Sequence, residues 1–405
     1  MASHKDFQAS GPLKGLRVVE LGMLFAGPLI ATNLADLGAE VIKIEHPKGD
    51  EVRKLGKGDN GLWWSVVARN KKLVGVDVKH PEGQAVVRRL LESADVFIEN
   101  FRPGRVKEWG LDYEALRKVN PGIVMLHVSG YGQTGPYTLR PGLGTLAEAF
   151  SGFAHVTGQP DGPPTLPAFP LADSVAALSG TYAVLAALWA RERNGGIGDE
   201  IDISLYEPLL SMTGPMLINY TKGGSIARRD GNRARWSTPR NTYRTKDGRW
   251  IAVSSAADAP TMRLFKAIGR EDLTRDPAWQ TNRERLKRVD ECDGLIAAWM
   301  QAHTQADAMQ KLGKFDVLAA PVNDVEGIVN DPHVQERGTV ITVADPVIGD
   351  TRVQEVVPRF RNAPGKINWL GKHEVGTETR DFLREAGYAD SDIAALEQRG
   401  IIKVA

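Results

Sequence analysis

"LRVVELGMLFAGPLIATNLADLGAEVIKIE" occupies residues 16–45 and decides the fold. "LRVVELG" (16–22) is a short apolar strand pattern. "GPLIATNLADLGAE" (27–40) repeats its apolar residues with helical spacing, and "VIKIE" (41–45) returns to strand character. Strand, glycine-bearing turn, helix and strand within about thirty residues make a βαβ unit. The same alternation continues outward. "LVGVDV" (73–78), "DVFIEN" (95–100) and "IVMLHVSGYG" (123–132) read as further strands. "PEGQAVVRRLLESA" (81–94) and "DYEALRKVN" (112–120) read as the helices between them. This is the pattern of an α/β fold with a doubly wound, Rossmann-like parallel sheet.

Beyond Gly130 the chain becomes rich in glycine and proline up to Pro170, broken by a helical stretch, "GTLAEAFSGFA" (144–154). A long apolar helix follows from Asp173, and "DEIDISLYEPLLSM" (199–212) supplies a strand and a helix. The segment 222–250 is basic and reads as loop. "WIAVSSA" (250–256) reads as a strand, "ITVADPVIGDTRVQEVVPRF" (341–360) as paired strands, and 378–402 as helix, turn, helix.

The composition narrows the function. Across 405 residues, 51 basic side chains nearly cancel 50 acidic ones. This balance suggests neither a nucleic-acid partner nor an acidic membrane surface. One cysteine, Cys292, excludes an internal disulfide framework and a thiolate metal cluster. The eight histidines lack metal-ligand spacing, so no metal site is expected. The opening "MASHKDFQASG" has no apolar signal core. The apolar run 174–190 contains Ser, Gly, Thr and Tyr and is short for a membrane span, so it reads as a helix buried in the core. A cytoplasmic location is the expectation.

The first strand–helix turn, "ELGMLFAGPLIA", carries only Gly22 and Gly27 where a dinucleotide fingerprint needs three spaced glycines, and a phosphate-binding Walker loop is absent. The topology alone therefore implies neither NAD nor ATP. A ligand is still expected at the carboxyl ends of the strands, where the sequence places Phe25, Ala26, His46, Lys79, Asn100, Phe101 and Tyr131. In "ENFRPGRVKEWG" (99–110), Arg102, Arg105 and Lys107 crowd a proline–glycine turn that could hold phosphates or be a solvated basic loop. "GxSxG" does not occur, and His127, beside Ser129 in the fifth strand, reads as a packed strand residue. In "PAFPLADSVAALSG" (167–180), Asp173 opens the apolar helix. Two readings compete there: a helix N-cap, or a reactive carboxylate held at a helix start.

Several motifs in fixed order bear on Asp173, where capping and catalysis need not exclude each other. "LRVVELGMLFAGPLIATNLADLGAEVIKIEHPKGDEVR", "NKKLVGVDVKHPEGQAVVRRLLESADVFIENFRPG", "GYGQTGPY", "AEAFSGFAHVTGQPDGPPTLP" and "PLADSVAALSGTYAVLAAL" together resemble the family III CoA-transferases of the CaiB/BaiF type, the formyl-CoA and carnitine CoA-transferase group. The resemblance runs to the ending "DFLREAGYADSDIAALEQRGII". It implies that Asp173, in "LADS", is a catalytic nucleophile forming aspartyl anhydride and aspartyl-CoA thioester intermediates. It implies CoA contacts at Phe25, Ala26, His46, Val76, Asp77, Val78, Lys79, Asn100, Phe101 and Arg102, with Arg105 or Lys107 standing in for a basic family position that is Glu108 here. Coenzyme A enters as substrate, so no separate cofactor is implied.

A second departure is "RPGLG" (140–144), where many members read "RPGYD". The related α-methylacyl-CoA racemases place a histidine at the position of Leu143. Leucine cannot exchange a proton, so racemase is the alternative only if another base, such as His155, serves. "GLGTLAEAFSGFAHVTGQPDGPP" resembles the members that handle dicarboxylic acids, with succinyl-CoA as donor. The arginines 228, 229, 233, 235 and 240 are candidate partners for a second carboxylate. The resemblance also implies a large domain built from 1–224 and 326–405, a smaller α+β domain over 225–325, and an interlocked homodimer.

Overall fold

The computed structural model describes residues 11–56, 62–255 and 257–405. The polar N-terminal segment up to Ser10, and Ala256 at the end of the strand read at 250–256, lie outside the described residues.

The strands expected around the opening stretch form one sheet. They are β1 (Arg17–Leu21), β2 (Glu40–Glu45), β3 (Lys71–Val76), β4 (Val96–Glu99), β5 (Val124–Ser129) and β6 (Glu200–Ser204). They lie in the order β3–β2–β1–β4–β5–β6, all parallel. A two-residue strand, Ile402–Lys403, adds antiparallel to the outer edge of β3. The reading of 378–402 as helix, turn and helix missed this strand. Its cause is visible at Gly75, where an added Cβ would lie 2.9 Å from the Lys403 side chain, so a bare glycine lets the C-terminus pair.

Period-two alternation buries both faces. On one face Val19, Leu21, Ile42, Ile44, Phe97 and Met125 join one core. On the other, Val18, Val41, Val96, Ile98, Val124, Leu126 and Val128 join a second core with Ile30 and Leu34 of the helix Ala26–Asp36. Strands buried on both sides read as continuous apolar runs, which is why these segments were legible. Each fully buried aliphatic side chain contributes about 1.5–3 kcal/mol.

The helix Leu171–Arg191 packs on Ala26–Asp36 and on β5. It is not buried all round, as its composition suggested. Val175, Ala176, Gly180 and Val184 face the core, while Leu178, Tyr182 and Trp189 are 61%, 67% and 62% exposed. Nothing among the described residues covers that second face.

The chain divides into two compact units. One contains the residues up to Phe153, Leu166–Gly214 and Gly338–Ala405. The other contains Ala154–Thr165 and Pro215–Arg337, a wider segment than the 225–325 read from the sequence. This second unit has an antiparallel sheet, Arg240–Arg244, Trp250–Ser254 and Ala319–Pro321, covered by helices including Asp258–Ala267 and Val289–Gln301. Tyr243, Ile251, Phe265 and Ile296 form its core. The strand Arg240–Arg244 lies inside the stretch read as basic loop. Its sequence, RNTYR, buries only Tyr243 and shows no apolar run.

Candidate active site

The strand order reverses between β1 and β4, and ligands of doubly wound sheets bind at such a switch point. Here the two strand ends are clamped. Asn100, just past β4, accepts a hydrogen bond from Met23 N–H at 2.8 Å and donates to Met23 O at 2.7 Å, so its amide positions the loop after β1. Gly27 makes this approach possible, since a Cβ there would lie 3.3 Å from the Asn100 side chain.

A fully buried ionic cluster braces the same loop. Lys43 pairs with Glu20 at 2.8 Å and Asp50 at 3.0 Å and donates to Gly22 O; Lys71 pairs with Glu20 at 2.7 Å and donates to Pro28 O. Between these anchors Leu24 sits at φ +61, a left-handed conformation that a leucine adopts only when its surroundings enforce it. The clamped turn presents the backbone N–H of Ala26, at the start of helix Ala26–Asp36, to the carboxylate of Asp173.

Asp173 is the third residue of helix Leu171–Arg191, inside its first turn. It is therefore not the N-cap; that position is Pro170, whose side chain accepts nothing. The hydrogen bond to the helix start comes from a residue that the sequence did not single out. Glu148, on helix Gly144–Phe150 and 2% exposed, accepts the N–H of Ala172 at 3.2 Å. One turn before it, Gly144 presses on Asp173, where a Cβ would fall 1.9 Å from Oδ2. Burial, and then the charge of Glu148, raise the Asp173 pKa to about 6, against the smaller opposing effect of hydrogen bonds from its own N–H and that of Ala26. The site thus holds a partly desolvated carboxylate with two carboxyl groups together and two helix starts converging on it.

A cavity of about 410 Å³ opens over the ends of β1–β4, and the Leu21–Met23 part of the clamped loop lines it. Of the sequence candidates, His46, Val76, Asp77, Val78, Lys79 and Phe101 line it, joined by Lys48, Lys54 and Trp109. His46 is held in place: its Nδ1 accepts the N–H of Lys48 at 3.0 Å, and its Nε2 lies 3.8 Å from Asp77. Phe101 stacks edge-on against Trp109, with ring centroids 5.0 Å apart. The remaining candidates stand apart from the cavity lining. Phe25 packs edge-on against Trp63, Ala26 faces Asp173, and Asn100 is committed to Met23. Arg102 is exposed, and Arg105 is paired with Glu108 at 2.6 Å.

Leu143 is exposed and carries no base. The ring of His155 belongs to the second unit and meets Ala227 O at 3.1 Å. Four of the five candidate arginines are committed locally: Arg229 to His155 O, Arg233 to Asp290 and Asp293, Arg235 to Asp230, and Arg240 to backbone carbonyls. Arg228 has no ion pair among the described residues and is exposed.

Comparison with known proteins gives the family. Residues 13–374 match the family described as CoA-transferase family III. The chain is 40% identical over 396 residues to a succinyl-CoA–D-citramalate CoA-transferase of Chloroflexus aurantiacus, covering 96% of this chain and 98% of that one. It is 31% identical to a mouse succinyl-CoA:glutarate CoA-transferase, covering 98% and 92%. The crystal structure of a CaiB/BaiF family protein from Brucella suis superposes with a TM-score of 0.82 at 31% identity, covering 93% of this chain and all of that one. The chain belongs to CoA-transferase family III and is an enzyme that transfers coenzyme A between carboxylic acids.

Proposed function

We propose that the enzyme takes CoA from succinyl-CoA, passes it through Asp173, and delivers it to a second dicarboxylic acid of the citramalate, malate or glutarate type. The observation that carries this reading is the setting of Asp173: a carboxylate raised in energy by burial, at the meeting of two helix starts. The named relatives supply the substrate class.

The steps follow from that geometry. An Asp173 oxygen attacks the thioester carbonyl carbon; a C–O bond forms, the C–S bond breaks, and the thiolate leaves with the electron pair. The thiolate then attacks the aspartyl carbonyl of the mixed anhydride, forming the aspartyl-CoA thioester and releasing the donor acid as its carboxylate. The acceptor carboxylate repeats the sequence in reverse. Covalent catalysis divides one difficult exchange into easier steps. The N–H of Ala26, which donates to the Asp173 carboxylate, is our candidate donor to the negative charge that develops on the aspartyl oxygen when the thiolate or the acceptor attacks that carbonyl. Thioester is exchanged for thioester, so the reaction calls for no cofactor beyond CoA itself. His46, Lys79, Phe101 and Trp109 are our candidates for the walls of the CoA site.

We further assign the enzyme to a homodimer of interlocked chains in the cytoplasm. The uncovered apolar face of Leu178, Tyr182 and Trp189 supports self-association, and light scattering on the purified protein measures it. For the reaction, the enzyme is incubated in D2O with succinyl-CoA and each candidate acid in turn. Formation of the acceptor's CoA ester without deuterium at its α-carbon supports the transferase reading. α-Deuteration of a branched acyl-CoA without transfer would establish the racemase instead.

A further inference from the structure

Two carboxylates share the start of helix Leu171–Arg191, and neither has an ion pair among the described residues. Glu148 is nearly fully buried and has no ion pair among the described residues; its Oε1 accepts the Ala172 N–H at 3.2 Å. Burying an unpaired carboxylate is costly. A bare structural cap does not call for it, because a neutral amide or hydroxyl would bond the same N–H. The companion feature lies one helical turn earlier, where Gly144 leaves just enough space for the Asp173 carboxylate. Residues four apart project from one helix face, so helix Gly144–Phe150 supplies Asp173 with both a bare surface and a fixed negative charge.

The other ionisable groups on elements packed against the long helix have different partners. Asp36 pairs with Arg69 at 2.6 Å, and His127 bonds Glu99 and Glu200. Asp202 accepts from Gln133 N–H at 2.8 Å, and Glu207 from Ser204 at 2.7 Å. Among the described residues Glu148 is thus the charged group that acts on Asp173.

We propose that Glu148 is a positioning residue that caps the helix in place of Asp173 and, through its charge, drives Asp173 toward its neutral acylated forms. The inference rests on Asp173 being the nucleophile. In the donor half-reaction the enzyme starts with two carboxylates at this helix start. The C–O bond forms, the C–S bond breaks, and one negative charge leaves on sulfur. After the thiolate attacks the aspartyl carbonyl, that charge departs with the donor carboxylate. Asp173 is neutral throughout the intermediates, so acylation relieves its repulsion with Glu148, and the repulsion returns only when the acceptor ester is released. Burial alone would favour the neutral forms as well; the charge adds a component that an uncharged isostere lacks.

The test is Glu148→Gln in the full-length enzyme. The amide oxygen still accepts the Ala172 N–H, so the melting temperature is expected to hold. The enzyme is incubated with succinyl-CoA and a fixed excess of succinate, and aspartyl-CoA is quantified by hydroxylamine trapping and peptide mass. The half-reaction equilibrium is expected to move about tenfold toward free enzyme, the equivalent of one pKa unit, and the acid limb of kcat/KM to move about one unit lower in pH. Glu148→Asp, which keeps the charge at shorter reach, is expected to stay within about threefold of the wild type in that equilibrium; this variant decides the matter should the amide fail to fold. Wild-type equilibrium and pH limb in Glu148→Gln would reduce Glu148 to a cap and overturn the inference alone. Absence of any adduct on Asp173 in the wild type would overturn the nucleophile reading, and this inference with it.

Discussion

Replacing Asp173 by asparagine should abolish turnover and make the protein more stable. The Asp173 carboxyl has a pKa raised from 3.8 to about 6, first by burial and then by Glu148. A raised carboxyl pKa means that the folded state binds the proton more tightly than the unfolded chain. Folding stability therefore falls as pH rises from about 4 to about 6, and the penalty is complete above that window. A shift of about 2 units corresponds to about 3 kcal/mol at 1.36 kcal/mol per unit, an order-of-magnitude ceiling. Asparagine is nearly isosteric, its oxygen can accept the Ala26 N–H, and it carries no charge at any pH. Urea unfolding followed by circular dichroism should show Asp173→Asn more stable than wild type by about 2–3 kcal/mol near pH 7.5 and by less than about 1 kcal/mol near pH 4. The comparison cancels every other titrating group. A variant no more stable than wild type near pH 7.5, or one with the same gain near pH 4, would refute the claim that this site stores electrostatic strain.

Gly144→Ala should cut kcat roughly a hundredfold, the loss expected when a reacting group is displaced by about 1 Å, because its methyl would sit 1.9 Å from Asp173 Oδ2; steady-state kinetics checks it. Asn100→Ala unties Met23 on both sides and should cost about 1–3 kcal/mol together with much of the activity, read by thermal melts and turnover on the same preparation. Lys71→Met leaves Glu20 buried with one cation fewer; breaking a buried pair in this way costs about 3–5 kcal/mol, visible as a lowered urea midpoint.

Much of this molecule could be read from its sequence because its central strands are buried on both faces. The runs around Val18, Ile42, Val74, Phe97 and Leu126 announce themselves without an alternating pattern. What escaped was set by contacts distant in sequence. The strand Ile402–Lys403 is too short to carry a period, and only the edge of β3 makes it one. RNTYR buries a single ring and reads as loop. The long helix is apolar on a face that the described residues leave open, so its composition overstated its burial.

In the site, Asp173 was visible as an acid at the mouth of an apolar run, and six of the candidates for CoA contact line the cavity: His46, Val76, Asp77, Val78, Lys79 and Phe101. Asn100 belongs to the same place but is engaged by the backbone of Met23, a distinction that needs atoms. Glu148 had one faint signal, a glycine four residues before a buried acid in the same short helix. That spacing acquires meaning only when the helix is seen against Asp173.

The most direct test follows an oxygen atom. If the acceptor passes through an anhydride with Asp173, each cycle leaves one acceptor carboxylate oxygen in the aspartyl side chain. The enzyme is turned over with succinyl-CoA and an acceptor acid labelled with ¹⁸O in its carboxylates, then digested and its peptides weighed. The peptide carrying Asp173 is expected to become heavier, and the other acidic peptides are expected to keep their mass. Efficient transfer with an unlabelled Asp173 peptide would contradict it.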